Sequence, residues 1–350
     1  MSENGTKRKF IEKILNDLGA AAGAPLVLLG DRLGLYKALA AGGPATSHEL
    51  AERTGTTERY VREWLAAQAA SGYVAYDAGH EKFSLTPDQE AVFADEDSPV
   101  FMAGAFWGMA ALWIDEEKVE DAFRTGKGIA WGDYHPCLFC GTEKFFRPAY
   151  RSHLVSDWIP ALDGVGDRLR CGARVADVGC GHGVSTLLMA EAFPQSTFVG
   201  FDIHEPSLDR ARELASEAGV GNISFEVAAA KTYPGNEFDL VTFFDCLHDM
   251  GDPVGAAAHV HQSLARDGIW MIVEPFAHDR LEENLNPVGR ICYAYSTMGC
   301  TPVSMSQEVG LALGAQAGEA RLREVVMAGG FTRFRRAAET AFNIILEARP

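Results

Sequence analysis

The sequence is short of positive charge. Its 31 basic residues stand against 48 acidic ones, a formal net charge of −17. Nucleic-acid surfaces work by neutralising phosphates, so this balance argues against a general DNA or RNA interface and for small-molecule chemistry. Long hydrophobic runs are missing too. The longest, Met102 to Ile114, is interrupted by glycines and falls short of the roughly 18 to 20 residues that cross a bilayer. A buried helix is expected there, with no membrane span. The polar, basic opening MSENGTKRKF lacks the form of a signal peptide. Seven cysteines (Cys137, Cys140, Cys171, Cys180, Cys246, Cys292 and Cys300) make no regular framework, which suggests reduced thiols and a cytoplasmic protein. His135, Cys137 and Cys140 lack the second Cys/His pair of a structural zinc site, so no metal is expected.

What is present is enough apolar residue, 47% of 350, for more than one core. Three segments follow from the patterning: 1–95, 96–170 and 171–350. In the first, SHELAERTG and TTERYVREWLAAQAASG form a helix-turn-helix pattern. Ser47 is placed as an N-cap and Gly55 as the stop; Thr57 opens a second helix with Val61, Trp64, Leu65 and Gln68 on one face, closed by Gly72. Alternation on both sides of Asp77 to Gly79 predicts a hairpin, and the unit reads as a winged helix. Its charge does not suit DNA: Pro25 to Asp95 hold six basic and ten acidic residues, and the second helix sets Glu58 and Glu63 beside Arg59 and Arg62. A dimerisation and lid module, giving a homodimer, is the favoured reading, with no nucleic acid expected.

Segment 96–170 is rich in aromatics. Trp131 and His135 are read as part of a lid that excludes water from a site. From Ala173 strands and helices alternate, as in a parallel sheet covered on both faces.

The string ARVADVGCGHGVSTLLMAEAFP holds a strand at Val175 to Val178, a turn through Gly179, Gly181 and Gly183, and a helix from near Ser185. Glycines let a ligand lie against the main chain. Dinucleotide loops read G-x-G-x-x-G, but here the third glycine comes early and Val184 holds the sixth position, so NAD ranks second. Asp202 ends the next strand, where a carboxylate can accept from ribose hydroxyls, and Ile203 beside it can pack on an adenine. The third strand ends at Ala228 to Ala230 with no carboxylate, leaving backbone near Ala229. The fourth ends in Asp245, which is grouped with the cofactor residues, and leads into Cys246, Leu247, His248 and Asp249. Asp249 is expected to cap the helix beginning near Pro253. Glu274, closing the fifth strand, is either a pocket carboxylate or a structural one.

Asp177-x-Gly-x-Gly-x-Gly, Asp202 and FDLVTFFDCLHDM together resemble the class I S-adenosylmethionine (SAM)-dependent methyltransferases over about residues 173 to 350. With the winged helix in front, the chain resembles bacterial small-molecule methyltransferases of two-domain type. The resemblance implies an α/β fold, a doubly wound seven-stranded sheet behind a mainly helical N-terminal domain. It also implies SAM as cofactor, with Asp177 and the glycine loop at its methionine part and Asp202 on the ribose. LHDMGDP is similar to the LHDWSD string that carries the base histidine of small-molecule O-methyltransferases, which lands on His248. A neutral imidazole at pH 7 could take the proton of an acceptor hydroxyl. Tyr293, Tyr295 and Met298 fall where such enzymes cover the substrate. Two other readings stay open: a winged-helix regulator that senses SAM, and an NAD-dependent oxidoreductase.

Overall fold

A computed structural model describes residues 3–350, with side chains from Lys7 onward. The chain divides into two compact units, residues 1–110 with 140–148, and residues 111–139 with 149–350. The aromatic segment 96–170 is thus shared between them.

In the first unit, helix Ser47–Thr54 is capped by Thr46, not Ser47. The Thr46 side chain accepts from the Glu49 N–H while the Glu49 carboxylate accepts from the Thr46 N–H. This reciprocal box needs a hydroxyl three residues before the glutamate, which only Thr46 supplies. Helix Glu58–Ala70 buries Val61, Trp64, Leu65 and Gln68, and the wing consists of β1 (Ala75–Asp77) and β2 (Lys82–Ser84), with Tyr76 opposite Phe83. Arg59 pairs with Glu63 and Arg62 with Glu58 at 2.7 and 2.8 Å, one helical turn apart. The guanidinium groups of this helix are already answered.

The first helix is the one apolar helix of membrane length among the described residues. Lys7–Arg32 is long and apolar enough to cross a membrane by length and composition, with 17% of its most apolar window buried. The helix runs through Pro25. Helix Ala103–Ile114 is buried at Ala103, Ala111 and Leu112, but Trp113 and Ile114 are exposed.

The second unit is built on seven strands: β3 (Arg174–Val178), β4 (Thr197–Asp202), β5 (Ile223–Val227), β6 (Phe238–Phe244), β7 (Leu264–Pro275), β8 (Arg333–Glu339) and β9 (Asn343–Arg349). Their order is β5-β4-β3-β6-β7-β9-β8. The first five pair in parallel, and β9 runs antiparallel to β7 and β8. Central strands β6 and β7 are near-continuous apolar runs because both faces are covered. The strand order reverses between β3 and β6, and in such sheets ligands bind outside the carboxyl ends at that reversal.

Candidate active site

The turn leaving β3 is glycine because of its backbone. Gly179, Gly181 and Gly183 have φ of 74°, 53° and 71°, a region strained for any residue with a Cβ. A Cβ on Gly179 would come 2.8 Å from Cys246 Sγ and one on Gly183 2.7 Å from the Phe225 ring, while at Gly181 it would meet nothing. The loop is packed from beneath at two points and open at the third, which forms a cradle on the main chain.

Asp177 lies fully buried under that cradle. Ser185 and Thr186 hydroxyls donate to its Oδ2 at 2.7 and 2.6 Å, and Thr242 donates to Oδ1 at 3.0 Å. Burial outweighs these bonds and pushes its pKa up to about 6. It ties strand, loop and helix start together from below, so its carboxylate is not open on the ligand side. Asp202, at the tip of β4, accepts from the Gly181 N–H at 2.9 Å and the His204 N–H at 2.8 Å. A carboxylate has lone pairs beyond these two, enough to accept from a diol as well. Ile203 stands exposed beside it, and Ala229 is exposed after β5. Asp245, held at φ 50°, accepts from Tyr150 Oη at 2.9 Å and Asn343 Nδ2 at 2.8 Å. Burial, with Glu274 nearby, pushes its pKa up to about 8. Both of its oxygens are engaged within the protein.

His248 sits in a single 3₁₀ turn, Leu247–Asp249, and is buried. Its Nδ1 lies 2.6 Å from Glu274 Oε2, while Glu274 Oε1 accepts from the Leu247 N–H at 2.9 Å. Nε2 is 3.2 Å from Asp249 Oδ1. Burial opposes the imidazolium, but Asp249 and Glu274 outweigh it and hold the pKa well above the usual histidine value. Two carboxylates thus bracket the ring and favour its imidazolium form. Asp249 is not the cap of helix Pro253–Ser263. Asp252 is, accepting from the Gly255 N–H at 2.8 Å, since an N-cap must stand immediately before the first turn.

The lid residues separate into two groups. Trp131, Phe139 and Met298 pack on a cluster of Ile129, Tyr134, Leu138 and Val303, and Tyr134 Oη donates to the Met298 carbonyl at 2.8 Å. Phe139 also meets the His204 ring at 4.4 Å, bringing this segment to the end of β4. His135 serves its own loop: its N–H donates to Asp115 and its Nδ1 accepts from the Cys137 N–H. Tyr293 and Tyr295 are half-buried on helix Pro287–Tyr295, and burial raises the Tyr295 pKa well above its usual value. A cavity of about 360 Å³ opens beyond β7, lined by Phe276, Asn284, Pro287, Val288 and Gln316 among others; Tyr293, Tyr295 and Met298 do not line it. Sequence reasoning missed Cys300, which lies against His248 and Asp249, because no local pattern marks a contact made across so many residues. It also missed Ser185 and Thr186, although two hydroxyls directly after a glycine turn are a usable signal.

Known proteins place this geometry. Residues 169–310 match the family model of a methyltransferase domain, and residues 21–94 that of an Rv2258c-like winged HTH domain. A ubiquinone biosynthesis O-methyltransferase of Aromatoleum aromaticum is 33% identical over 131 residues, 36% of this chain and 52% of the relative. The chain spans about half the length of the curated relatives it matches. Among solved structures, mitomycin 7-O-methyltransferase superposes with a TM-score of 0.67 at 21% identity, covering 99% of this chain and 100% of that one. Human N-acetylserotonin methyltransferase, solved with SAM, gives 0.70 at 17% identity, with 97% of each chain covered. The chain therefore carries a methyltransferase domain over residues 169–310, with its glycine cradle on a β5-β4-β3-β6-β7-β9-β8 sheet, and an Rv2258c-like winged HTH domain over residues 21–94.

Proposed function

We propose that this protein transfers the methyl group of SAM to a hydroxyl of a small, planar or apolar acceptor, with His248 removing the hydroxyl proton. The observation that carries the reading is the His248 Nδ1 to Glu274 contact of 2.6 Å at the carboxyl end of β7, two strands from the glycine cradle. The residues present suit the cofactor. The open position at Gly181 leaves room for a ligand on the main chain, Asp202 offers a carboxylate to a ribose, and Ile203 and Ala229 stand exposed for the adenine. When bound, SAM supplies an electrophilic methyl group on its sulfonium. The protein then has to align the acceptor and take a proton.

Glu274 occupies Nδ1 and orients the ring, which leaves Nε2 as the atom that receives the proton; Asp249 and Glu274 stabilise the imidazolium that results. Trp131 and Met298, packed in one cluster, support a lid that excludes water. The cavity beyond β7, lined by Phe276 two residues after Glu274, is of a size for a small molecule. The relatives named as O-methyltransferases favour oxygen as the acceptor atom.

Segments 1–95, 96–170 and 171–350 are assigned to assembly, lid and catalysis. Phe10, Leu15 and Leu18 are more than half exposed on the first helix, an apolar stripe that a second copy of the chain would cover; light scattering that finds a monomer at all concentrations would remove this assignment. The activity is tested with isotope-labelled SAM and a panel of phenols and hydroxyquinones. His248→Ala should lower turnover by about 10²- to 10⁴-fold with SAM affinity retained. Unchanged turnover would end the base role, and absence of SAM binding would end the whole reading.

A further inference from the structure

We propose that His248, Asp249 and Cys300 form a binding site for a thiophilic divalent cation of the zinc class. One ligand atom from each residue, an imidazole nitrogen, a carboxylate oxygen and Sγ, lies within 4.8 Å of the other two. Nδ1 of His248 is taken by Glu274, so Nε2 is the nitrogen presented, 3.2 Å from Asp249 Oδ1. A second observation is independent of that spacing. Asp249 Oδ1 is buried and no well-aligned hydrogen bond reaches it among the described residues; His248 Nε2, 3.2 Å away, can donate only while the ring is protonated, and a buried carboxylate oxygen without a donor is costly. A cation is what such an atom accommodates.

The donor set selects the metal. Nitrogen, sulfur and one carboxylate oxygen suit Zn²⁺, Cd²⁺ or Co²⁺, whereas Mg²⁺ and Ca²⁺ take oxygen throughout. Three protein ligands leave the fourth tetrahedral position open. Glu274 on the far nitrogen is the outer carboxylate that orients a metal-binding imidazole. The ligands come from two turns, Leu247–Asp249 and Ser296–Cys300, linked through residues 314 and 315: the Gly314 N–H donates to the His248 carbonyl at 3.4 Å and the Ala315 N–H to Ser296 Oγ at 3.1 Å. Binding displaces the thiol proton of Cys300 and occupies the Nε2 lone pair. On the proposed reading of His248 as base, the cation is therefore an inhibitor; the binding itself does not depend on that reading.

The test is a Cd²⁺ titration of the full chain, followed by the thiolate-to-metal absorption band. It is run in a Cys137→Ser, Cys140→Ser background so that this pair cannot contribute. One equivalent should bind and produce the band. Cys300→Ser should abolish the band and weaken binding by more than about 100-fold, and Asp249→Asn should weaken it by at least about 10-fold, since loss of a direct ligand exceeds the loss of an outer partner. Circular dichroism checks each fold, and Asp249→Asn carries the test if Cys300→Ser does not fold. A band of unchanged strength in Cys300→Ser, or no binding at micromolar Cd²⁺, overturns the site. Zn²⁺ at one equivalent should also stop turnover, reversibly with a chelator. If the Cys300-dependent band forms while turnover continues, the site stands and the base role of His248 falls.

Discussion

The glycine turn after β3 and the histidine turn after β6 stand on neighbouring strands of one sheet, yet they are built by opposite means. The first is local. Its shape follows from positive φ at Gly179, Gly181 and Gly183 and from Asp177, Ser185 and Thr186, all within ten residues. The second is assembled from a distance. His248 takes its orientation from Glu274 on β7 and its other neighbour from Cys300, beyond a further helix. A binding cradle needs only backbone reach, which a short run of residues can specify. A group with the base role proposed for His248 needs charges arranged around it, and these arrive from separate elements.

The largest effect should come from the local site. Gly183→Val forces a β-branched residue into φ 71° and drives its Cβ to 2.7 Å from Phe225. Strain and overpacking of about 3 kcal/mol or more should remove SAM binding in calorimetry, and binding within a few-fold of the unmodified protein would show that the cradle does not carry the ligand.

Glu274→Gln probes the assembled site. Turnover should fall about 10- to 100-fold through kcat, by analogy with outer-shell partners of a functional histidine, while KM for SAM stays put. An equal change in both constants would make Glu274 a general structural support.

Asp177 distinguishes the two regions by pH. Its folded pKa of about 6 lies above the ordinary aspartate value of about 3.9. Below the lower value both states are protonated. As pH rises through this window the unfolded carboxylate ionises first, so stability declines by about 3 kcal/mol and then levels above pH 6. Asp177→Asn should flatten that decline in denaturant titrations between pH 4 and 6; an unchanged slope would assign it to other groups. Smallest of all, Asp252→Ala removes the cap after the histidine turn and should cost about 1 kcal/mol, with turnover nearly unaffected.

Legibility followed the same division. Strands β3 to β7 were readable because buried parallel strands are apolar runs bounded by turns, and the winged helix because Val61, Trp64, Leu65 and Gln68 keep helical spacing. The cap errors, Ser47 for Thr46 and Asp249 for Asp252, are small shifts among residues that all suit a cap; backbone geometry chooses between them. The long first helix was not marked off as an element; Pro25 is accommodated within it.

By itself the sequence determined the order of elements, the glycine turn, and the presence of a histidine at the end of a central strand, since each depends on neighbours in the chain. Tertiary structure alone decided that Asp177 is sealed beneath the loop, that Asp245 is held by Tyr150 and Asn343, and that two carboxylates and a thiol surround His248. Burial and charge depend on what folds over a residue, and that is set by groups far along the chain.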